Sequence, residues 1–345
     1  MPRGRASVGY LRTVPRLRRV SPNDVGWTRR RAGRGFVHLD ENGNRLPDED
    51  VARIKKLAIP PAWTDVWICR IPNGHLQAVG TDAAGRRQYL YHPDWRARQD
   101  ELKFERVTRA ARRLPAMRAA VLEDLADAEM TRDKACAAAV RLLDLGCFRI
   151  GNDVYANGDS FGLTTLERRH VRRENGTLHF EFTGKSGIEH HIEVDDEPSR
   201  QAIETMRRRR DRSARLLAYK DGRRWVELDA ATVNEYLRDR TGEELTAKDF
   251  RTWHATVLAA AALAESEEPG DTLASRRRAV KAALAEVAEF LGNTPAIARS
   301  SYVDPRVIDH YEDGVTIAAA TGRRHRDPDA RQAALERAVR RLLSE

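Results

Sequence analysis

The sequence predicts an α+β protein in which a small antiparallel β-sheet domain precedes a mainly α domain that carries a β-hairpin. Three observations predict this class. At 345 residues the chain exceeds one minimal domain, at roughly 100–200 residues per domain. Short runs with partial period-2 alternation fill residues 35–93, and long segments rich in Ala, Arg, Leu and Glu follow. Within those later segments, Asn175-Gly176 lies between alternating residues and indicates a hairpin.

The N-terminal part is divided by composition. Residues 1–34 contain ten arginines and one acid, Asp24, so they can bury little apolar surface, and we expect a flexible basic segment. Residues 35–95 are the predicted sheet domain, in which turn pairs such as Asn42-Gly43 separate the strands. A short helix is expected around Asp48–Lys56.

The helical domain is predicted over residues 96–320, with a charged amphipathic helix over residues 321–345 whose face Ala334, Ala338 and Leu342 packs on the core. Everything after Glu197 is predicted to be helical.

Within this domain we expect a helix from Thr131 that ends at Gly146, and Arg149 directly follows that stop. Lys185 is expected at a hairpin tip. Helices are also expected at Thr246–Glu265 and Ser275–Leu291, the second closed by a glycine, with Tyr302 in a short segment between helices.

The charge balance favours a polyanionic partner. Lys and Arg total 61 against 52 Asp and Glu, which gives a formal charge of +9 and a pI near 9.7. Both nucleic acid and an anionic membrane fit this charge. No stretch approaches the roughly 18 apolar residues of a spanning helix, and the most apolar run is Val257–Ala264. The N-terminus lacks an apolar signal-peptide core, so we expect a cytoplasmic protein.

The three cysteines, Cys69, Cys136 and Cys147, include no CxxC pair. This spacing argues against a disulfide framework and against a thiolate metal site. We expect reduced thiols that are mostly buried.

Four strings lie in a suggestive order: FRIGNDVYANGDSFGLTTL (148–166), FTGKSGIEH (182–190), KDFRTWHAT (248–256) and GNTPAIARSSY (292–302). Together they contain arginines, a lysine, an amide and a tyrosine. Metal-free phosphodiester exchange needs such a set, because fixed cations must meet the negative charge of the transition state and an acid must protonate the departing oxygen. The strings resemble the type IB DNA topoisomerases of the poxvirus and bacterial kind, and LAIPPAW (57–63) and GHLQAVGTDAAGRRQYLYHP (74–93) extend the resemblance over roughly residues 35–312.

The resemblance implies a tyrosine recombinase/topoisomerase IB-like core and a role for each matching residue. Tyr302 corresponds to the nucleophile, Arg149 and Arg251 to the phosphate-clamping arginines, and Lys185 to the general acid. Asn293 stands where the viral pattern has a histidine, so its amide is expected to donate a hydrogen bond without carrying charge.

The same resemblance implies relaxation of supercoiled double-stranded DNA through a 3′-phosphotyrosyl intermediate, by a nucleoid-associated monomer that clamps the duplex. It implies no cofactor, neither metal nor nucleotide, and the sequence has no GxxxxGK[ST] loop. Five residues are candidate DNA contacts: Gln88, Tyr89, Tyr91, Tyr155 and Lys248.

Three alternatives stay open on the residues alone. A tyrosine recombinase shares the Arg, Lys, Arg and Tyr set, but its members resemble one another in H-x-x-R, where this chain has Lys248 and Arg251. A non-catalytic DNA-binding protein would leave Tyr302 inert. A metal-dependent nuclease would use His179, His190, His191 and the acids nearby, although adjacent strand histidines point to opposite faces. His254, three residues after Arg251, is either an orienting residue or a packed one.

Overall fold

The structure, a computed structural model, describes residues 16–151, 160–267 and 272–344. In these ranges the chain forms two compact units that divide at Lys103 and Phe104. The first unit is built on a five-stranded antiparallel sheet, and the second is mainly helical with two small sheets. The predicted α+β class is therefore confirmed. The division falls inside a helix, whereas the sequence places the domain boundary at residues 95/96.

The first unit has the strand order β2-β1-β3-β4-β5, and every neighbouring pair is antiparallel. Its strands are β1 (Trp27–Ala32), β2 (Gly35–Leu39), β3 (Thr64–Ile68), β4 (Leu76–Thr81) and β5 (Arg87–Tyr91). Helix α1 (Asp48–Lys56) buries Ile54 against one face of this sheet together with Trp27, Ile68 and Ala78.

The prediction of a flexible segment over residues 1–34 is wrong for Trp27–Ala32, which forms an inner strand of the sheet. Trp27 is buried, and Arg29 donates to the carbonyls of Ile59 at 3.1 Å and Trp63 at 2.9 Å. Its guanidinium also lies 4.1 Å from the ring centroid of Phe36. Composition counts charge but misses arginines that pack their stems and satisfy backbone acceptors. Residues 1–15 lie outside the described residues.

The helices of the second unit pack around one core. They are α2 (Pro93–Ala110, which begins in the first unit), α3 (Leu114–Leu125), α4 (Arg132–Gly146), α5 (Glu197–Arg208), α6 (Ala230–Thr241), α7 (Ala247–Ala264), α8 (Leu273–Leu291), α9 (Pro295–Ser301), α10 (Pro305–Glu312), α11 (Ala318–Thr321) and α12 (Pro328–Leu342). Helix α7 is the central one, since nearly every residue from Ala247 to Ala261 is buried. Both predicted helix caps are confirmed. Thr246 is the N-cap of α7, and Gly292 is the C-cap of α8, in the left-handed conformation with φ 59°.

Two small sheets complete the second unit. The predicted hairpin is part of a three-stranded sheet of β6 (Val171–Glu174), β7 (Thr177–Thr183) and β8 (Glu189–Val194). A second hairpin consists of β9 (Ala218–Asp221) and β10 (Arg224–Glu227). The prediction that everything after Glu197 is helical is therefore wrong here. A glycine at φ 58°, Gly222, turns the chain between these two strands.

The C-terminal helix packs on the core of the second unit, as predicted, although of the three predicted residues only Leu342 is fully buried. Leu335, Val339 and Leu342 are buried, while Ala338 is only partly buried. The three cysteines are free and buried. Among the described residues, no helix has the length and apolarity needed to cross a membrane.

Candidate active site

Arg149 is held by the turn that follows α4. The helix ends at Gly146, and the next residue, Cys147, has a left-handed φ of 49°. The Arg149 carbonyl then accepts a hydrogen bond from the Leu163 backbone N–H at 2.7 Å. Two glycines allow this close approach, because a Cβ on Gly162 would lie 2.5 Å from the backbone nitrogen of Gly151. The glycines in the motif therefore serve to fix the backbone of Arg149.

The Arg149 guanidinium joins two of the predicted site residues. Its Nη2 donates to Asn293 Oδ1 at 2.8 Å, and its Nη1 donates to Tyr302 Oη at 3.4 Å. The first contact has good hydrogen-bond geometry and the second is long. One arginine thus reaches both the phenol and the amide that the sequence predicts as partners.

Arg251 projects from α7 and is only 4% exposed. Its Nη2 donates to the Leu291 carbonyl at 2.6 Å, and its Nη1 donates to the Cys147 carbonyl. The guanidinium lies 5.5 Å from the ring centroid of Tyr302. Burial lowers the pKa of Arg251, and Arg149 adds to that shift; the group nevertheless stays charged at neutral pH because an arginine pKa starts above 12.

Tyr302 follows α9 directly and is 7% exposed. Its backbone N–H donates to Ala298 O at 3.0 Å, and its carbonyl accepts from Thr256 Oγ1 at 3.3 Å. Burial raises the pKa of the phenol, but the charges of Arg251 and Arg149 lower it more, so the pKa lies below its ordinary value. The site therefore favours the phenolate relative to a free tyrosine.

Lys185 is not brought into contact with this cluster. It lies on an exposed 3₁₀ turn, Lys185–Gly187, between β7 and β8, where Ser186 has a left-handed φ of 68°. Its ammonium makes no hydrogen bond or ion pair with any side chain in the described ranges. Lys185 therefore lies at the tip of a hairpin, as the sequence predicts, with its side chain in solvent.

His190 lies beside the arginines. Its ring stacks on Phe182 with centroids 5.1 Å apart and planes inclined by 21°. Together with Arg149 and Arg251 it lines a cavity of about 300 Å³. Burial lowers the pKa of His190, and the charges of Arg251 and Arg149 lower it further, so the imidazole is neutral at neutral pH.

Of the five candidate DNA contacts, three lie on β5 and one on α7. Tyr89 and Tyr91 share one face of β5, with rings stacked 6.2 Å apart and exposures of 46% and 40%. Gln88 donates to Asp82 Oδ2 at 2.9 Å. Lys248 is exposed in the first turn of α7, and Tyr155 lies outside the described residues.

His254 is a packed residue. Its Nε2 lies 2.9 Å from Asp144 Oδ1, and Arg118 donates to both oxygens of the same carboxylate, at 2.6 and 2.9 Å. Gln332 from α12 reaches its other ring nitrogen at 3.5 Å. His254 therefore ties α4 and α7 to the C-terminal helix.

The residues considered for a nuclease do not converge. Within the described ranges, no three His, Cys, Asp or Glu side chains form a group with metal-binding geometry. His191 points away from His190, and its side chain is 74% exposed.

Some site contacts have no sequence signal. Arg251 is held by the carbonyls of Cys147 and Leu291, and the Tyr302 backbone is held by the hydroxyl of Thr256. These partners are distant in the sequence, so the contacts form only when the chain folds. Asp304 is different, since Asp-Pro after Tyr302 is a recognisable helix start. Its carboxylate caps α10 by accepting from the Arg306 backbone N–H at 3.0 Å.

Comparisons with known proteins identify the family. The family described as "Eukaryotic DNA topoisomerase I, catalytic core" matches residues 92–325, and "Bacterial DNA topoisomerase IB, N-terminal domain" matches residues 35–82. The chain belongs to the type IB DNA topoisomerase family. It is an enzyme of that class, and the alternatives of an inert DNA-binding protein and a nuclease are thereby set aside.

Two relatives agree with this assignment. DNA topoisomerase 1B of Acanthamoeba polyphaga mimivirus is 28% identical over 297 residues, which cover 84% of this chain and 88% of the viral protein. DNA topoisomerase 1 beta of Arabidopsis thaliana is 27% identical over 179 residues, 51% of this chain and 18% of the plant protein.

Proposed function

We propose that this enzyme relaxes supercoiled duplex DNA by breaking one strand, holding it covalently on Tyr302 while the other end swivels, and then rejoining it. One observation carries the proposal. The Tyr302 phenol is buried with Arg149 on its hydroxyl and Arg251 over its ring, an arrangement that suits a phenolate attacking a phosphate.

In the cleavage step, Tyr302 Oη attacks the phosphorus of a backbone phosphodiester and the bond from phosphorus to the 5′ oxygen breaks. The phenolic proton is lost to water on attack, and the lowered pKa of Tyr302 makes that loss easier. Arg149 and Arg251 meet the extra negative charge on the non-bridging oxygens, where preorganised donors are most effective.

The departing 5′ oxygen needs a proton, and Lys185 is the proposed donor. Because its ammonium is exposed in the free protein, we propose that bound DNA covers the hairpin turn and brings Lys185 to the scissile phosphate. A lysine is a suitable acid once neighbouring cations and loss of water lower its pKa.

Rejoining reverses the same steps. The 5′ hydroxyl attacks the 3′-phosphotyrosine, and the tyrosine leaves. One phosphoester replaces another in each direction, so we propose that the reaction consumes no nucleotide and needs no metal. Double-stranded DNA is the proposed partner of a monomeric enzyme, with Tyr89, Tyr91, Gln88 and Lys248 as proposed contacts.

Relaxation of a supercoiled plasmid in excess EDTA, without nucleotide, tests this function. The account predicts a ladder of closed topoisomers on a plasmid that carries no selected target site. Strict dependence on a divalent metal or on ATP would overturn the proposal, and so would products that remain nicked or linear. Strand exchange between two copies of one short sequence, without relaxation, would instead indicate a recombinase-like activity.

A further inference from the structure

The His190 ring fits between two glycines that belong to different parts of the site. A Cβ added to Gly184 would lie 2.5 Å from His190 Cδ2, and one added to Gly292 would lie 2.7 Å from His190 Cε1. Both distances are shorter than real Cβ contacts permit. A side chain at either glycine would therefore displace the imidazole.

The two glycines directly precede two proposed catalytic residues. Gly184 opens the exposed turn that carries Lys185. Two backbone hydrogen bonds close this turn: the Gly184 N–H donates to Ile188 O at 2.7 Å, and the Gly187 N–H donates to Gly184 O at 3.2 Å. Gly292 closes α8 and leads into Asn293. His190 thus spans from the base of the Lys185 turn to the turn that presents Asn293.

The His190 ring is also held by the neighbouring strand of its own sheet. Its stacking on Phe182, across the β7–β8 pair, sets its plane, and Phe182 is itself stacked on the buried Phe148 at 6.0 Å. Phe148 immediately precedes Arg149. A continuous row of rings therefore connects the hairpin to the segment that fixes Arg149.

We propose that His190 is a positioning residue that holds the Lys185 turn against the Gly292–Asn293 turn, so that Lys185 meets the departing 5′ oxygen when DNA binds. This inference rests on the proposed function of Lys185 as general acid. It assigns His190 no proton transfer. Its contribution is the flat ring packed between the two glycine backbones, and the catalytic effect passes through Lys185.

The test compares cleavage of two duplexes in single-turnover reactions. One duplex carries an ordinary phosphodiester at a cleavage position mapped with the wild-type enzyme. In the other, the bridging 5′ oxygen at that position is replaced by sulfur, which leaves without needing a proton because a thiol is far more acidic than an alcohol. A defect in the general acid is thereby repaired by the sulfur, whereas a defect in the arginines or in DNA binding is not.

His190→Ala is expected to slow cleavage of the ordinary duplex by about 10- to 100-fold, the range expected for misplacement of a catalytic group. It is expected to cleave the sulfur duplex within about threefold of wild type and to bind DNA equally well. His190→Phe keeps a flat ring between the glycines and is expected to retain most of the ordinary rate. The matched control is His191→Ala, the neighbouring exposed histidine, which should behave as wild type.

A second variant guards against a folding defect in the first. Gly184 has φ −96°, so alanine is allowed by the backbone and only the methyl contact with His190 changes. Gly184→Ala should produce the same sulfur-rescued loss. The double variant His190→Ala/Lys185→Ala should cleave the ordinary duplex no more slowly than Lys185→Ala alone, because both substitutions impair the same proton transfer from Lys185.

Several results would contradict the inference. An ordinary rate unchanged in His190→Ala would do so, as would an equal loss on both duplexes or losses that multiply with those of Lys185→Ala. If instead the wild-type enzyme formed no covalent adduct on either duplex, the proposed function itself would fail, and the two failures are therefore distinguishable.

Discussion

Arg149 donates a hydrogen bond from Nη2 to Oδ1 of Asn293 at 2.8 Å. An arginine can only donate, so the contact fixes the amide with its oxygen toward Arg149 and its NH₂ group away from it. Among the residues that the structure describes, that NH₂ group has one long contact, to Leu291 O at 3.5 Å. This orientation suits the proposed role of Asn293 as a hydrogen-bond donor to a phosphate oxygen.

This orientation predicts how substitutions of Asn293 rank. Asn293→Ala and Asn293→Asp should both slow single-turnover cleavage by about 100-fold, the usual effect of losing one donor to a developing oxyanion. The aspartate keeps a partner for Arg149 but loses the NH₂ group and adds negative charge. Asn293→His should stay active and acquire a pH dependence near the histidine pKa of about 6.5. A fast Asn293→Asp enzyme would show that the NH₂ group is not used.

Arg251→Lys is predicted to be a severe substitution despite the conserved charge. A lysine cannot reproduce the planar contacts with the Cys147 and Leu291 carbonyls and the stacking over Tyr302. Cleavage should fall by at least about 100-fold, and the free energy of unfolding should fall by about 1–3 kcal/mol because buried carbonyls lose donors. Arg238→Lys, at an exposed position on α6, is the control. Wild-type cleavage by Arg251→Lys would contradict this account.

The two arginines also set the ionisation of Tyr302. Because their charges lower the pKa of the phenol against the opposing effect of burial, Arg149→Gln should raise that pKa. With the sulfur duplex, which removes the need for an acid, the cleavage rate should rise with pH and level off at a higher pH in Arg149→Gln than in wild type. Superimposable pH profiles would show that Arg149 does not influence the phenol.

The ionisation of Asp144 is expected to make the free energy of unfolding of the second unit depend on pH in acid. Burial raises the pKa of this carboxyl, but hydrogen bonds from Arg118 and His254 lower it more, so its pKa lies well below the ordinary range. A carboxyl whose pKa is lower in the folded state contributes stability that is present above its unfolded pKa of about 3.9 and is lost as pH falls through the folded value.

Asp144→Asn should therefore lower the free energy of unfolding at pH 7 by about 1–3 kcal/mol, since it weakens the charged hydrogen bonds from Arg118 and His254, while Arg118 keeps Glu336 as its second partner at 2.8 Å. It should also make stability less dependent on pH below about 4. Urea unfolding at pH 7 and pH 3 measures both effects. Asp329→Asn, where the side chain is 78% exposed, is the control. Equal acid dependence in Asp144→Asn and wild type would contradict the assignment.

The sequence correctly predicts the parts of the fold that depend on residues close together in the chain. Thr131 and Thr246 begin helices and Gly292 ends one because the cap is a property of neighbouring residues. The sequence does not predict strand β1, because its arginines resemble those of a solvated tail and its pairing with β2 and β3 depends on the folded chain. The β9–β10 hairpin was missed because a helical pattern was extended past Asp221-Gly222, a pair typical of hairpin turns.

At the site, the motifs identify which residues to consider but not their environment. Arg149, Asn293 and Tyr302 come together in the structure as the motifs predict. The exposure of Lys185 and the packing of His190 depend on how the hairpin lies against the end of α8, which no spacing in the sequence encodes. For the same reason the sequence around His190 resembles a metal-ligand cluster, although its ring packs against Phe182.

Covalent attachment of DNA to Tyr302 is the central step of the proposed reaction. The direct measurement incubates enzyme with 3′-end-labelled and 5′-end-labelled duplexes in EDTA, stops the reaction with denaturant and resolves protein-linked DNA on a denaturing gel. Wild type should retain the strand that ends in a 3′ phosphate, and Tyr302→Phe should form no adduct while binding duplex DNA as tightly as wild type. An adduct formed by Tyr302→Phe, or a wild-type adduct on the 5′ phosphate, would contradict the account.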